Sequence, residues 1–165
     1  IWGIGCSTII ESAIKKIFNI KRRDNSKLLI SLVSSREMLE RYVKKVPEYV
    51  LEYLYDESPT TIIYPKVKGF NHILYGKNES IAIRLVKDNF CKTLIDEINI
   101  PLISTSANIS GNAFPKKFKE IDKRIINKVD YVVNLNDSNL INSKPSRIIK
   151  VSFNGQIEVI REWLT

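Results

Sequence analysis

The chain is poor in the residues from which most recognisable catalytic and metal sites are built. It has one histidine, His72, and two cysteines, Cys6 and Cys91, far apart in sequence. Neither thiol belongs to a CxxC pair or has a histidine neighbour, which excludes a zinc-site reading. Reduced, partly buried thiols in a cytoplasmic protein are the expectation. No apolar run approaches the roughly 18 residues of a membrane span, and no signal peptide is visible. Also missing are GxGxxG, the Walker A loop, GxSxG and any carboxylate pair at metal-ligand spacing. These absences exclude the generic dinucleotide-binding, P-loop and nucleophile-elbow templates. No internal repeat, linker or low-complexity tract divides the chain.

What is present is a globular composition. With 165 residues, 44% hydrophobic and 27% charged, the chain can bury a sizeable core as one domain over residues 1–165. Its net charge of +8 invites a nucleic-acid or nucleotide partner. Against that, 18 of the 26 basic residues are lysines, in a chain also rich in Ile and Asn. A bias toward those residues would raise the charge without building a basic patch.

Read in order, the chain begins with the tail of a strand, Ile1 to Cys6, in which Gly3 and Gly5 permit close backbone approach. Thr8-x-x-Glu11 is a capping box for a helix to about Asn19, with Ile10, Ala13, Ile14, Ile17 and Phe18 at core-facing spacing. A basic turn follows, in which Lys21, Arg22, Arg23 and Lys27 fall within seven residues. It reads either as a solvated loop or as a phosphate clamp. Further expectations are a strand over 28–33, a helix capped by Ser34-x-x-Glu37, and a third helix from Pro47 to about Tyr55. Beyond these lie a strand over 58–65 and the alternating strand 80–85. In the latter, Ile81, Ile83 and Leu85 oppose Ser80, Ala82 and Arg84. An arginine on a central strand is costly unless it meets an anion or lines a cleft. After a helix over 89–98, residues 116–128 form a basic helix or loop with Ile121, Ile125 and Ile126 inward. A strand is expected over 130–135, then a polar loop over 136–144. Two last strands, 145–151 and 156–160, join through Asn154-Gly155, a hairpin signal. The irregular alternation of strands and helices predicts an α/β (α+β-like) fold with an open, twisted mixed sheet.

The most distinctive stretch is 101–111. Its apolar start runs into Ser104-Thr105-Ser106-Ala107-Asn108-Ile109-Ser110, five small polar residues among seven, closed by Gly111. Such a run makes surface turns, and it also presents hydroxyls and backbone N–H groups to anions. Together with Lys21, Arg23, Lys27, Arg84, Ser146 and Arg161 it gives cations and hydroxyls at segment ends, with no strong base or nucleophile. Phosphoryl or nucleotidyl transfer is one chemistry that runs on positioning and charge neutralisation alone.

Five pieces carry a family resemblance: Trp2-Gly3-Ile4-Gly5-Cys6, Lys21-x-Arg23, Ser80-Ile81-Ala82-Ile83-Arg84, residues 101–111, and Pro145-Ser146-x-Ile148 through Ile160-Arg161. In order and spacing they resemble the YrdC/TsaC family of threonylcarbamoyl-AMP synthases, in its short single-domain form. The resemblance implies a YrdC-like sheet flanked by helices around a large basic cavity. It also implies a nucleotidyltransferase that makes threonylcarbamoyl-AMP and pyrophosphate from ATP, L-threonine and bicarbonate. The product would serve N6-threonylcarbamoyladenosine formation on tRNA through a downstream transferase complex. By similarity, Arg23, Lys27, Ser80, Ser106, Asn108 and Arg161 would contact ATP. Arg84, Ser104 and Ser146 would lie on the threonine side, Lys21 would help hold phosphates, and Mg²⁺ would accompany ATP.

The sequence departs from the family pattern in places. Family members carry a Pro-Thr-Asp/Glu-Thr segment before the Trp-Gly strand, so the natural N-terminus is expected to be missing here. Ser7 stands where aspartate is common, Leu32 where some members have histidine, and Ser58-Pro59-Thr60-Thr61 replaces Pro-Gly-Pro. The principal rival reading is a double-stranded RNA- or tRNA-binding protein of the same fold without synthase activity. Thr105, alternating away from Ser104 and Ser106, is expected to be structural.

Overall fold

A computed structural model describes residues 1–44, 46–134, 144–152 and 154–162. Seven strands build one sheet: β1 (Gly3–Ser7), β2 (Ile30–Val33), β3 (Thr60–Tyr64), β4 (Ile81–Leu85), β5 (Leu102–Ser106), β6 (Arg147–Val151) and β7 (Ile157–Arg161). Their order is β1-β5-β2-β4-β3-β6-β7. The β2/β4 and β3/β6 ladders are parallel and the other four are antiparallel, which is the mixed α/β sheet the sequence implied.

Helices α1 (Glu11–Lys21), α2 (Arg36–Glu40), α3 (Leu51–Tyr55), α4 (Asn89–Ile98) and α5 (Lys123–Ile126) accompany the sheet. The apolar stripe of α1 buries Ile14, Ile17, Phe18 and Ile20 in a core shared with Leu32, Ile62, Ile81, Ile83, Ile103 and Ile149. Central β4 is sealed on both faces over its first three residues, so Ala82 is as buried as Ile81 and Ile83. The two-sided alternation expected for this strand therefore emerges only at Arg84 and Leu85, which are partly exposed. The β6–β7 hairpin turns at Asn154-Gly155 as expected, with Gly155 at φ +86°.

Three local expectations are corrected. Thr8 does not cap α1: its buried hydroxyl donates to Pro101 O at 2.9 Å, and the N-cap residue is Ile10, which has no side-chain cap bond. A long-range acceptor outcompetes the local one, and Thr8 thereby ties the end of β1 to the start of β5. The cap of α2 is Ser35, which accepts from Met38 N at 3.1 Å, while Ser34 Oγ turns to Met38 Sδ. Residues 130–134 form no strand, and Leu135 lies outside the described residues. Alternation there lacks the ladder partner that a strand needs. Most of the polar loop expected over 136–144 also falls outside the described residues.

Gly5 shows why β1 and β5 lie so close. A Cβ built there would sit 2.3 Å from Ile103 O, a backbone atom that no side-chain rotation can clear. Gly5→Ala is expected to destabilise the protein at or beyond the upper end of the roughly 1–3 kcal/mol typical of overpacking. Chemical denaturation of the variant measures this, and a midpoint equal to wild type would contradict the close approach.

Candidate functional site

The strand ends open onto a cleft of about 520 Å³. Six of the residues singled out from the sequence line it: Arg23, Arg84, Ser104, Ser106, Ser146 and Arg161. Thr105 lines it too, contrary to its expected place on the far side. Leu28, Ile30, Pro59, Phe114 and Ile148 supply apolar wall, and the one carboxylate in the lining among the described residues is Asp88. That carboxylate is already engaged, accepting from Cys91 N at 2.8 Å as the N-cap of α4. The cations in the described lining are Arg23, Arg84, Lys87, Lys144 and Arg161.

Arg84 is the cation whose surroundings say most. It extends from central β4 into the cleft wall, where desolvation, followed by the nearby Arg161 charge, lowers its pKa from the ordinary value. Among the described residues it makes no hydrogen bond or ion pair. A guanidinium never loses its proton in a protein and offers five donors in a flat fork. Partly exposed at the cleft wall and without a protein acceptor among the described residues, its guanidinium is left to solvent or to an incoming anion. Ser104, whose hydroxyl also has no partner among the described residues, lines the same cleft.

Lys21, by contrast, points away from the cleft and into the protein. It ends α1, where Arg22 adopts a left-handed conformation (φ 50°) that turns the chain and sends Arg23 to the cleft side. The buried ammonium of Lys21 donates to Ser106 O, to Asn108 O at 2.7 Å and to Asn108 Oδ1 at 3.3 Å. Ser106 Oγ donates to Asn108 Oδ1 at 2.5 Å, and Asn108 Nδ2 donates to Asn112 O at 2.5 Å. Ser110 N returns to Lys21 O at 2.8 Å. The hydroxyl-rich exit of β5 is thus shaped around one lysine, and Lys21 and Asn108 are internal struts of the loop that presents Ser106.

Burial, and then the charge of Arg23, pull the Lys21 pKa from 10.5 down to about 8. An unfolded chain then binds more protons than the folded one between about pH 8 and 10.5, so this group's contribution to stability rises with pH across that window. The expected result is that wild type gains denaturation midpoint relative to Lys21→Met between pH 7.5 and pH 9.5. A constant difference between the two proteins would contradict the depressed value.

On the opposite wall, Arg161 at the end of β7 donates from Nε (3.0 Å) and Nη2 (2.6 Å) to Ser146 O, with Nη2 also 3.4 Å from Ser146 Oγ. Ser146 Oγ in turn lies 2.8 Å from the hydroxyl of fully buried Thr61 on β3. Arg23 is half-buried and donates from Nη2 to Leu28 O at 2.9 Å, which steers its remaining donors. Lys27 is exposed in the turn after Arg23, and Ser80 is buried beside Gly76. Lys21, Lys27, Ser80 and Asn108 are not among the cleft-lining residues. Thr61 and Phe114 were not singled out from the sequence. A threonine in an apolar strand reads as an ordinary β-branched core residue, and only the register of β3 beside β6 brings it to Ser146.

Three arginines, several hydroxyls and apolar walls thus meet at the strand ends of this α/β protein, an arrangement with the chemistry to hold a small anion or nucleotide. The family model for Sua5/YciO/YrdC, described as telomere recombination, matches residues 1–162, and the chain belongs to that family. A protein of Methanocaldococcus jannaschii, named provisionally as a threonylcarbamoyl-AMP synthase, is 36% identical over 98% of this chain and 75% of its own length. A solved double-alanine variant of Pyrococcus abyssi Sua5 superposes with a TM-score of 0.84 over 98% of this chain, at 24% identity. Sua5 of the same organism complexed with L-threonine gives 0.78 over 90% of this chain, at 26% identity. This chain spans under half of each Sua5 chain, 49% and 44%.

Proposed function

We propose that this protein is a nucleotidyltransferase that forms threonylcarbamoyl-AMP from L-threonine, bicarbonate and ATP, releasing pyrophosphate. The observation that carries the reading is the meeting of Arg23, Arg84 and Arg161 in one cleft whose only carboxylate among the described residues is committed to a helix cap. The curated relative's name and the threonine-bound structure of a family member support it. Convergence of cations within a cleft suits a small polyanion better than the extended backbone of double-stranded RNA. The product is proposed to pass to a transferase complex that modifies tRNA.

The chemistry asks for little beyond placement and charge. Threonine's amine and bicarbonate combine to a carbamate with loss of water. A carbamate oxygen then attacks the α-phosphorus of ATP, and the bond to pyrophosphate breaks. Arg84 is assigned to the threonine carboxylate and Ser104 to the same side. Arg23 and Arg161 are assigned to the phosphates as preorganised donors that oppose charge as it builds, with Ser106 lining the same cleft. The apolar walls at Leu28, Pro59 and Phe114 suit the adenine ring. Mg²⁺ is proposed to enter with ATP, where it would supply further neutralisation of the phosphate charge beside Arg23 and Arg161.

Incubation of the protein with ATP, bicarbonate and labelled threonine is expected to yield labelled threonylcarbamoyl-AMP and pyrophosphate in equal amounts. Steeply salt-dependent RNA binding without either product would instead establish the RNA-binding reading. Arg23→Ala is expected to fold normally and lose about 2.7–4 kcal/mol of transition-state stabilisation, roughly 10²- to 10³-fold in turnover. Near-normal pyrophosphate release by the folded variant would remove Arg23 from its assigned place.

A further inference from the structure

Thr61 is fully buried on β3, and its hydroxyl oxygen lies 2.8 Å from Ser146 Oγ. No other side-chain partner of Thr61 is found among the described residues. Ser146 is itself the acceptor that fixes Arg161: its carbonyl receives Nε and Nη2 of the guanidinium, and its hydroxyl lies 3.4 Å from the same Nη2. Ser146 and Arg161 both line the cleft, whereas Thr61 does not. The three residues therefore form a chain that starts in the core and ends at the ligand.

We propose that Thr61 is a positioning residue for ligand binding, acting through Ser146 and Arg161, an inference that rests on the function proposed above. The direction of the hydroxyl pair follows from what each group can do. Arg161 can only donate, so Ser146 Oγ faces a donor on that side. If Thr61 also donates to Ser146 Oγ, the Ser146 proton is left free to turn into the cleft toward an anionic oxygen. Both lone pairs of Ser146 Oγ are then occupied by donors, which strengthens the hydrogen bond it gives. Without the Thr61 hydroxyl, the Ser146 rotor loses its internal anchor, and the carbonyl beneath Arg161 loses part of its constraint. A chain of this kind affects how tightly the anion is held and leaves the bond-making step to the cleft arginines.

Two substitutions separate this role from packing. Thr61→Val keeps the volume and β-branching and removes the hydroxyl; Thr61→Ser keeps the hydroxyl and removes the methyl. Expected for Thr61→Val is a rise of about three- to tenfold in the KM for threonine and for ATP, the range set by one net hydrogen bond, with kcat less than halved. Thr61→Ser is expected to restore both KM values while melting at a lower temperature. Calorimetric titration with inorganic pyrophosphate reads the same chain without turnover, and Thr61→Val is expected to bind it about three- to tenfold more weakly. Unchanged pyrophosphate binding in Thr61→Val overturns the proposal, as does a parallel fall of affinity and melting temperature in both variants. Should wild type bind pyrophosphate yet form no adenylate, the proposed function fails, and the pyrophosphate titration still decides the role of Thr61.

Discussion

Arg84→Met is expected to lose roughly 10- to 150-fold in kcat/KM for threonine while its melting temperature holds or rises. The activity loss follows from the proposed pairing with the threonine carboxylate. A hydrogen bond to a charged group contributes about 1.5–3 kcal/mol, and each 1.36 kcal/mol is a factor of ten. The stability effect follows from the unliganded cleft. Arg84 has no hydrogen bond or ion pair among the described residues, and its surroundings already press its pKa downward by desolvation. Methionine keeps most of the apolar stem and removes the charge, so folding loses a cost and no compensating partner is orphaned. Opposite signs for activity and stability mark a residue held for its ligand. Kinetics at varied threonine with a thermal melt of the same preparation supply both numbers. An unchanged KM for threonine would remove Arg84 from the threonine side, and a large fall in melting temperature would make it a structural residue.

Much of this arrangement was legible in the sequence, for reasons that differ by residue. Arg84 could be picked out because a cation in an Ile-Ala-Ile run violates a local pattern, and such violations concentrate at binding sites. The β6–β7 hairpin was legible because Asn154-Gly155 has a local conformational meaning. The caps were not, because Thr8 finds its acceptor at Pro101, far along the chain, and nothing near Thr8 announces it. The strand expected over 130–135 failed for the same reason in reverse: alternation is a local property and ladder pairing is not. The signature Lys21-x-Arg23 reads as one unit, yet the left-handed Arg22 between its members turns Lys21 inward and leaves Arg23 at the cleft. Thr61 was visible only as part of the segment that replaces Pro-Gly-Pro, and its role was not, since its partner is set by sheet register.

Lys21→Met carries the second large expected effect, and it differs in kind from that of Arg84. The variant is expected to lose both stability and activity together. Its side chain is almost completely buried, and its ammonium serves two backbone carbonyls and the Asn108 side-chain oxygen. Methionine fills a similar volume but leaves these acceptors without their donor, at about 1–3 kcal/mol for a buried unsatisfied group. The loss falls on the segment 106–112, where Ser106, Asn108 and Asn112 are already bonded to one another. With its central donor gone, that segment no longer holds Ser106 at the cleft, and affinity for ATP is expected to drop about tenfold or more. The depressed pKa, about 8, gives the test an internal control. As wild type is raised from pH 7.5 to 9.5, the neutral amine has two N–H groups for three acceptors, so wild-type ATP affinity should weaken toward that of the variant even as folding stability gains from relief of the buried charge. Calorimetric titrations of both proteins with ATP at the two pH values, beside denaturation curves, check each part. A variant that binds ATP as wild type does would show that Lys21 is not the strut of the Ser106 loop. A variant that loses affinity at full stability would return Lys21 to direct contact with the phosphates.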